Sequence, residues 1–426
     1  MSEHPIRLVL EDDLERARFT VLLRWLLAIP HYLWLIVWSV AVIFAVIASW
    51  FATLVRGRTP DALHRFLAAY VKYATQLYGY LYLAANPYPS FDGGDGYPID
   101  LVIAGPAPQS RWKVAFRVIL VIPASVFATT LVGLPGWSTS GGTRGKTSSL
   151  GFTRLPDLVL LAAVLGWFAV LARGRMPRGL RDLIAYGISY GAQVWGYALL
   201  LTDRYPNSDP QAALADIPVR HDPAWLEVDG VLERSRLTVF FRALLAIPHF
   251  VWLLLWGILV FLAAIANWFA VLFTGRVPEA LGRFLSAYLR YQFHVYGFLY
   301  LLANPFPGFV GAAGSYPLEA VLATPGRQRR WTVLLRVVLG FPAMALTSAF
   351  GAVLSAAALL GWFASLATGR MPLGLRNAGM LALRYQLQTT AYLMVLYDAY
   401  PYSGPALRGE PADEEPPSAQ AISAFG

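Results

Sequence analysis

Three marks recur four times along this chain, and the runs between them are apolar enough to cross a bilayer. An arginine stands six residues before a proline at Arg24–Pro30, Arg117–Pro123, Arg242–Pro248 and Arg336–Pro342. Trp-Phe-Ala followed by Gly-Arg-x-Pro runs from Trp50 to Pro60, Trp167 to Pro177, Trp268 to Pro278 and Trp362 to Pro372. A tyrosine precedes an aromatic-Pro stop by sixteen residues at Tyr73–Pro89, Tyr190–Pro206, Tyr291–Pro307 and Tyr385–Pro401. Self-similarity of this kind marks one supersecondary unit used again, so it constrains the fold before any single residue is interpreted.

One unit reads as follows. Ile6, Leu8 and Leu10 alternate, a short strand signal, and 97–103, 225–231 and 316–322 are comparable. Open strands cannot lie in hydrocarbon, so these belong to the aqueous phase and are expected to pair with one another. Residues 18–29 follow, helix-like and too short to span, with Pro30 breaking them; an interfacial helix is expected. His31 to Val55 carries no formal charge apart from a protonatable histidine and, at about 37 Å, is long enough to cross. Gly57-Arg58-Thr59-Pro60 ends it and starts a second long segment from Leu63 to Ala85, interrupted by Arg65 and Lys72. The expected fold is an all-α integral membrane protein. It has four tandem repeats of one interfacial and two membrane helices, about eight spans, with short extramembrane strands before each repeat.

Composition agrees with a lipid solvent. Hydrophobic residues make up 57% and charged ones 14%, against about 25% charged in ordinary globular chains. The net charge of +9 comes mainly from arginines flanking the apolar runs, where anionic headgroups would meet them, so nucleic acid is not the expected partner. Without cysteine there is no disulfide or thiolate metal site. Residues 1–15 are polar and acidic, and no cleavable signal peptide is expected.

The repeats divide the chain at 1–92, 93–210, 211–311 and 312–405, with an acidic, Pro-rich tail at 406–426 expected to be disordered. The first and third share Ile-Pro-His at His31 and His249; the second and fourth share Gly-Arg-Met-Pro at Met176 and Met371. A two-repeat unit was therefore duplicated, 1–210 with 211–405. In the second repeat the proline-to-tryptophan distance is 44 residues instead of 20, through a Gly/Ser-rich insertion at about 133–156. That run either splits a span or enters a protein-lined cavity, and a surface excursion is the preferred reading. Within it, Gly141 to Thr147 has Ser140 where a phosphate loop needs its first glycine, so no nucleotide site is expected. Basic residues flank both ends of the apolar runs, so orientation is poorly fixed. The strand side and both termini are placed in the cytoplasm.

The strings at 24–32, 273–278 and 202–206 resemble the bacterial membrane family called domain of unknown function 4389. The resemblance covers most of 5–403 as tandem copies. It implies a multi-pass protein of the bacterial plasma membrane and brings no activity, substrate or site residues.

Candidate chemistry is sparse. Arg24, Arg117, Arg242 and Arg336, with Lys72, Arg290 and Arg384, are expected to bind anionic lipid or a membrane protein partner. Tyr73 with Gln76, Tyr190 with Gln193, Tyr385 with Gln388, and His294 offer an alternative: a polar path between the duplicated halves. His31, His249, His64 and His294 make haem conceivable as a lesser alternative, though an interfacial histidine more often caps a helix. No cofactor or metal is expected. No paired carboxylates or nucleophile triad stand in the apolar runs, so the expected role is a non-enzymatic scaffold or lipid-binding component, with a transporter or channel as the alternative.

Overall fold

The computed structural model describes residues 3–133 and 157–409, and most of them are helical. The first segment holds β1 Ile6–Leu10, α1 Arg18–Leu27, α2 Ile29–Arg56 and α3 Asp61–Leu81. The second holds β2 Ile99–Ile103, α4 Arg111–Ala115, α5 Arg117–Leu120, α6 Ile122–Val132, α7 Leu158–Arg173 and α8 Arg178–Ala198. In the third are β3 Val219–Arg220, β4 Ala224–Val228, α9 Arg236–Leu245, α10 Ile247–Thr274 and α11 Glu279–Leu299. The fourth comprises β5 Leu318–Leu322, α12 Arg330–Leu334, α13 Arg336–Thr368, α14 Leu373–Leu393 and β6 Leu407–Arg408.

The helix boundaries follow from the punctuation. Pro30 and Pro248 sit in the first turns of α2 and α10, where a missing N–H costs nothing, and Ala28 and Ala246 just before them separate these helices from α1 and α9. In the fourth segment α13 instead runs on through Pro342. Gly57, Gly174, Gly275 and Gly369 end α2, α7, α10 and α13 at φ of 72–73°, the left-handed cap that glycine adopts without Cβ strain. The proline three residues later precedes α3, α8, α11 and α14.

The expected strands pair, β1 antiparallel with β2 and β4 antiparallel with β5. The tail begins later than expected: β6 pairs in parallel with β3, so 407–408 belong to the fold. Most of the insertion, including Gly141 to Thr147, and the remainder of the tail lie outside the described residues.

Three layers result. On α3, Tyr70, Leu77 and Leu81 turn toward α1 and α2, whereas Lys72, Gln76 and Gly79 turn the opposite way, toward β2 and the loop before it. On α8, Gly187 and Gly191 meet Val159 and Val132 of the apolar helices, while Gln193 and Gly196 meet Ile6 of β1. The long second helices α3, α8, α11 and α14 thus form a middle layer between strands on one side and apolar helices on the other. α8 is buried without a break from Arg181 to Val194. The halves join where α13 packs on α6 and α7, with Tyr402 donating to Asp182 and Asn377 to Asp209 on the strand side.

Among the described residues, three helical stretches are long and apolar enough to cross a membrane: Arg18–Arg56, Arg236–Thr274 and Arg336–Thr368. They lie in the apolar layer, with α6 and α7 as shorter apolar helices. The second helices, expected to span, do not reach that standard; they are packed against protein on both faces.

Candidate membrane-facing site

Each second helix ends on a non-glycine residue in the left-handed region: Leu83, Leu200, Leu301 and Val395, at φ of 57–65°. That conformation costs about 1–2 kcal/mol for an L residue, so neighbours must hold it. Arg24 supplies one clamp, donating to the Tyr80 carbonyl, to Ala85 O at 2.9 Å and to Asn86 Oδ1 at 3.3 Å. Arg242 repeats this with Phe298 O, Ala303 O and Asn304 Oδ1. Arg117 donates to Thr202 O and Gln109 Oε1, and Arg336 to Tyr397 O and Gln328 Oε1. Each guanidinium also lies over an aromatic ring, of Tyr80, Tyr197, Phe298 or Tyr392, at 4.0–4.5 Å. A cation at a helix C-terminus is favoured by both the dipole and the orphan carbonyls.

These four arginines are therefore not where lipid headgroups could reach them: each is at most 2% exposed. A second set, which the sequence reading did not single out, completes the clamp. Arg16 and Arg234 bond Leu83 O and Leu301 O, and Gln109 and Gln328 bond Leu200 O and Val395 O. The available signal was their constant place, eight residues before the repeat arginine.

The remaining predicted residues are also engaged by other residues of the chain. Lys72 pairs with Asp95 and, at 3.0 Å, with Asp100. Burial works against its ammonium, but the two carboxylates outweigh it and hold its pKa above the ordinary lysine value. Arg290 lies 3.5 Å from Glu319, and Arg384 donates to Gly404 O and Ala406 O. Gln76, Gln193 and Gln388 donate to Gly94 O, Ile6 O and Ala224 O, and His294 stands 3.4 Å from Glu319. The Tyr190 hydroxyl bonds Ala124 O, and the Tyr385 ring lies against Phe350. The glutamines and His294 thus tie the second helices to strands and loops, whereas the tyrosines meet the apolar helices.

The histidines are dispersed. His31 and His249 bond the Tyr73 and Tyr291 hydroxyls at 2.7 and 2.8 Å and stack on Phe91 and Phe309; His64 faces Leu201 O at 3.4 Å. In each case a neighbouring residue of the chain holds one ring nitrogen.

What does face outward is apolar surface with a basic rim. Phe19, Trp25, Leu33, Phe44 and Val55 are exposed along α1 and α2, as are Leu237, Leu254, Phe261 and Phe273 along α9 and α10. Between α2, α3, α6 and α8 opens a cleft of about 590 Å³, lined by residues such as Leu35, Val42, Tyr70 and Trp195, with the Ser39 and Tyr70 hydroxyls 2.8 Å apart as a polar spot.

The rim arises from a contact the sequence reading separated. Gly57 O accepts from Gln109 N, Gly174 O from Arg16 N, Gly275 O from Gln328 N, and Gly369 O from Arg234 N, at 2.8–3.0 Å. Each Gly-Arg-x-Pro turn therefore sits beside the start of its partner segment's first helix. Basic groups of the turns and of the helix starts thereby become neighbours: exposed Arg58 with Arg111, Arg175 with Arg18, Arg276 with Arg330, and Arg370 with Arg236. The repeat tryptophans lock the same joints, with the indoles of Trp50, Trp167, Trp268 and Trp362 donating to Val114, Val21, Val333 and Val239 carbonyls.

Among known proteins, the family described as "Domain of unknown function (DUF4389)" matches residues 18–92, 236–310 and 330–403, together more than half of the chain. No curated protein matches, and no solved structure matches.

Proposed function

The chain belongs to that family, domain of unknown function 4389, and on this premise we propose that it is a non-enzymatic membrane scaffold of the bacterial plasma membrane. Its apolar layer is solvated by lipid, and its arginine rim engages anionic headgroups. The four segments are four copies of one unit, including the second, whose insertion interrupts the pattern. The observation that carries this reading is an exposed apolar helix layer bordered by exposed arginines at the ends of its helices. Exposed hydrocarbon surface on this scale is not tolerated by soluble monomers and marks a membrane or partner surface. The cleft opens within that layer, so hydrocarbon is the solvent it meets.

Because Arg24, Arg117, Arg242 and Arg336 serve the fold, the lipid role passes to the rim. Arg18, Arg111, Arg236 and Arg330 are its members that the test addresses. Each arginine near an anionic surface contributes about 1 kcal/mol. Reversing these four to glutamate should weaken association with phosphatidylglycerol vesicles strongly and with phosphatidylcholine vesicles little, read by flotation. Equal flotation of the variant and the parent chain on anionic vesicles would remove the headgroup role. The transport alternative is less favoured, because Gln76, Gln193 and Gln388 donate to carbonyls of the protein itself.

A further inference from the structure

Whether the long apolar helices cross the bilayer or lie in it is decided by what covers the second helices. On α3 the two contact faces are about half a turn apart, one toward α2 and one toward the strands. The strand face carries ions at its surface. Arg7 pairs with Glu3, Lys72 with Asp95 and Arg408 with Glu227, and Asp92 is exposed. The opposite surface, along α2 and α10, is apolar over their whole length.

The ends of the apolar helices are tied to this charged layer. The C-terminal end of α2 bonds Gln109, six residues past β2, and that of α7 bonds Arg16, six residues past β1. Since β1 and β2 are antiparallel partners, the two helix ends hang from opposite ends of one ribbon. The N-terminal end of α2 is tied to the same layer, because the Trp34 indole donates to Phe91 O, next to Asp92. If α2 crossed the bilayer, the ribbon would lie at mid-depth with its unpaired edges and ion pairs facing hydrocarbon. Each such group costs several kcal/mol there.

We infer that the molecule sits in a single leaflet, with the apolar helix layer lying in the membrane plane among acyl chains, the arginine rim at headgroup level and the strand layer in water. This inference rests on the membrane reading above and localises it. One helix layer is about 10–12 Å thick, which fits within half of a core about 30 Å deep. The same arrangement repeats in the second half, where the Trp252 indole donates to Phe309 O and Gly275 bonds Gln328.

The natural lack of cysteine makes the full chain suitable for single-site labelling. Asp92→Cys and Val310→Cys report the N-terminal ends of α2 and α10, Arg58→Cys and Arg276→Cys their C-terminal ends, and Phe44→Cys the middle of α2. In oriented membrane vesicles, an impermeant maleimide should reach all four end positions from one side only and Phe44→Cys only after detergent. Labelling of Asp92→Cys and Arg58→Cys from opposite sides would overturn the inference while leaving the membrane reading intact. Reaction of Phe44→Cys in vesicles as fast as in detergent would overturn both. Nitroxides at Leu33→Cys, Phe44→Cys and Val55→Cys give an independent measure. They should report one similar depth, and a profile deepest at Phe44 with both ends shallow would sink the in-plane placement.

Discussion

Arginine carries different burdens at positions that look alike in the sequence. Arg24 and Arg18 both belong to α1, yet Arg24 is 2% exposed and fastened to carbonyls, while Arg18 is exposed. Replacing Arg24 by glutamine should cost about 2–3 kcal/mol, because a charge-assisted donor to buried carbonyls is lost. Arg16→Gln should cost less, since glutamine already fills the matching places at Gln109 and Gln328 and bonds the same carbonyl there. Thermal melting in detergent compares the two; a larger loss for Arg16→Gln would show that the clamps are not equivalent. The recurrence of the repeat arginine was legible in the sequence, but its target was not. Its targets include backbone carbonyls 61 residues onward at Arg24 and Arg336 and 85 onward at Arg117, and carbonyls leave no residue-type signature.

Elements are joined at two kinds of close approach. Trp167→Phe keeps the ring but removes the indole N–H that reaches Val21 O at 3.3 Å, and should destabilise by about 1 kcal/mol in the same melting assay. Gly187 sits where a Cβ would come within 2.3 Å of Val159, so Gly187→Ala should cost about 1–3 kcal/mol by overpacking α7 against α8. An unchanged melting temperature for either variant would show that the joint gives way easily. The strands β1, β2, β4 and β5, the helices α1 and α9 and the glycine–proline turns could be placed from period, punctuation and capping chemistry, whereas β3 and β6 left no such signal and the break expected at Pro342 is absent because α13 runs through it. The second helices were expected to span, and they are not among the three described stretches long and apolar enough to do so. Length and apolarity resemble a span whether the surrounding solvent is lipid or protein, and only α8 buried from Arg181 to Val194 distinguishes the two.

At the scale of the whole molecule, the paired segments exchange contacts: the turn closing each apolar helix binds the start of its partner. Vesicle flotation and sided labelling test the surface this creates, the first for headgroup binding and the second for depth. The sequence by itself determined the repetition, the apolar runs and the positions of turns, because helix period, proline and glycine act over a few residues. It also determined that apolar residues far outnumber charged ones, 57% against 14%, and are gathered in blocks. Only the tertiary structure decided which helix face is left exposed and which arginines are buried. Those outcomes depend on strands closing over one side of the second helices and apolar helices over the other, contacts between residues far apart in the chain that no local pattern encodes.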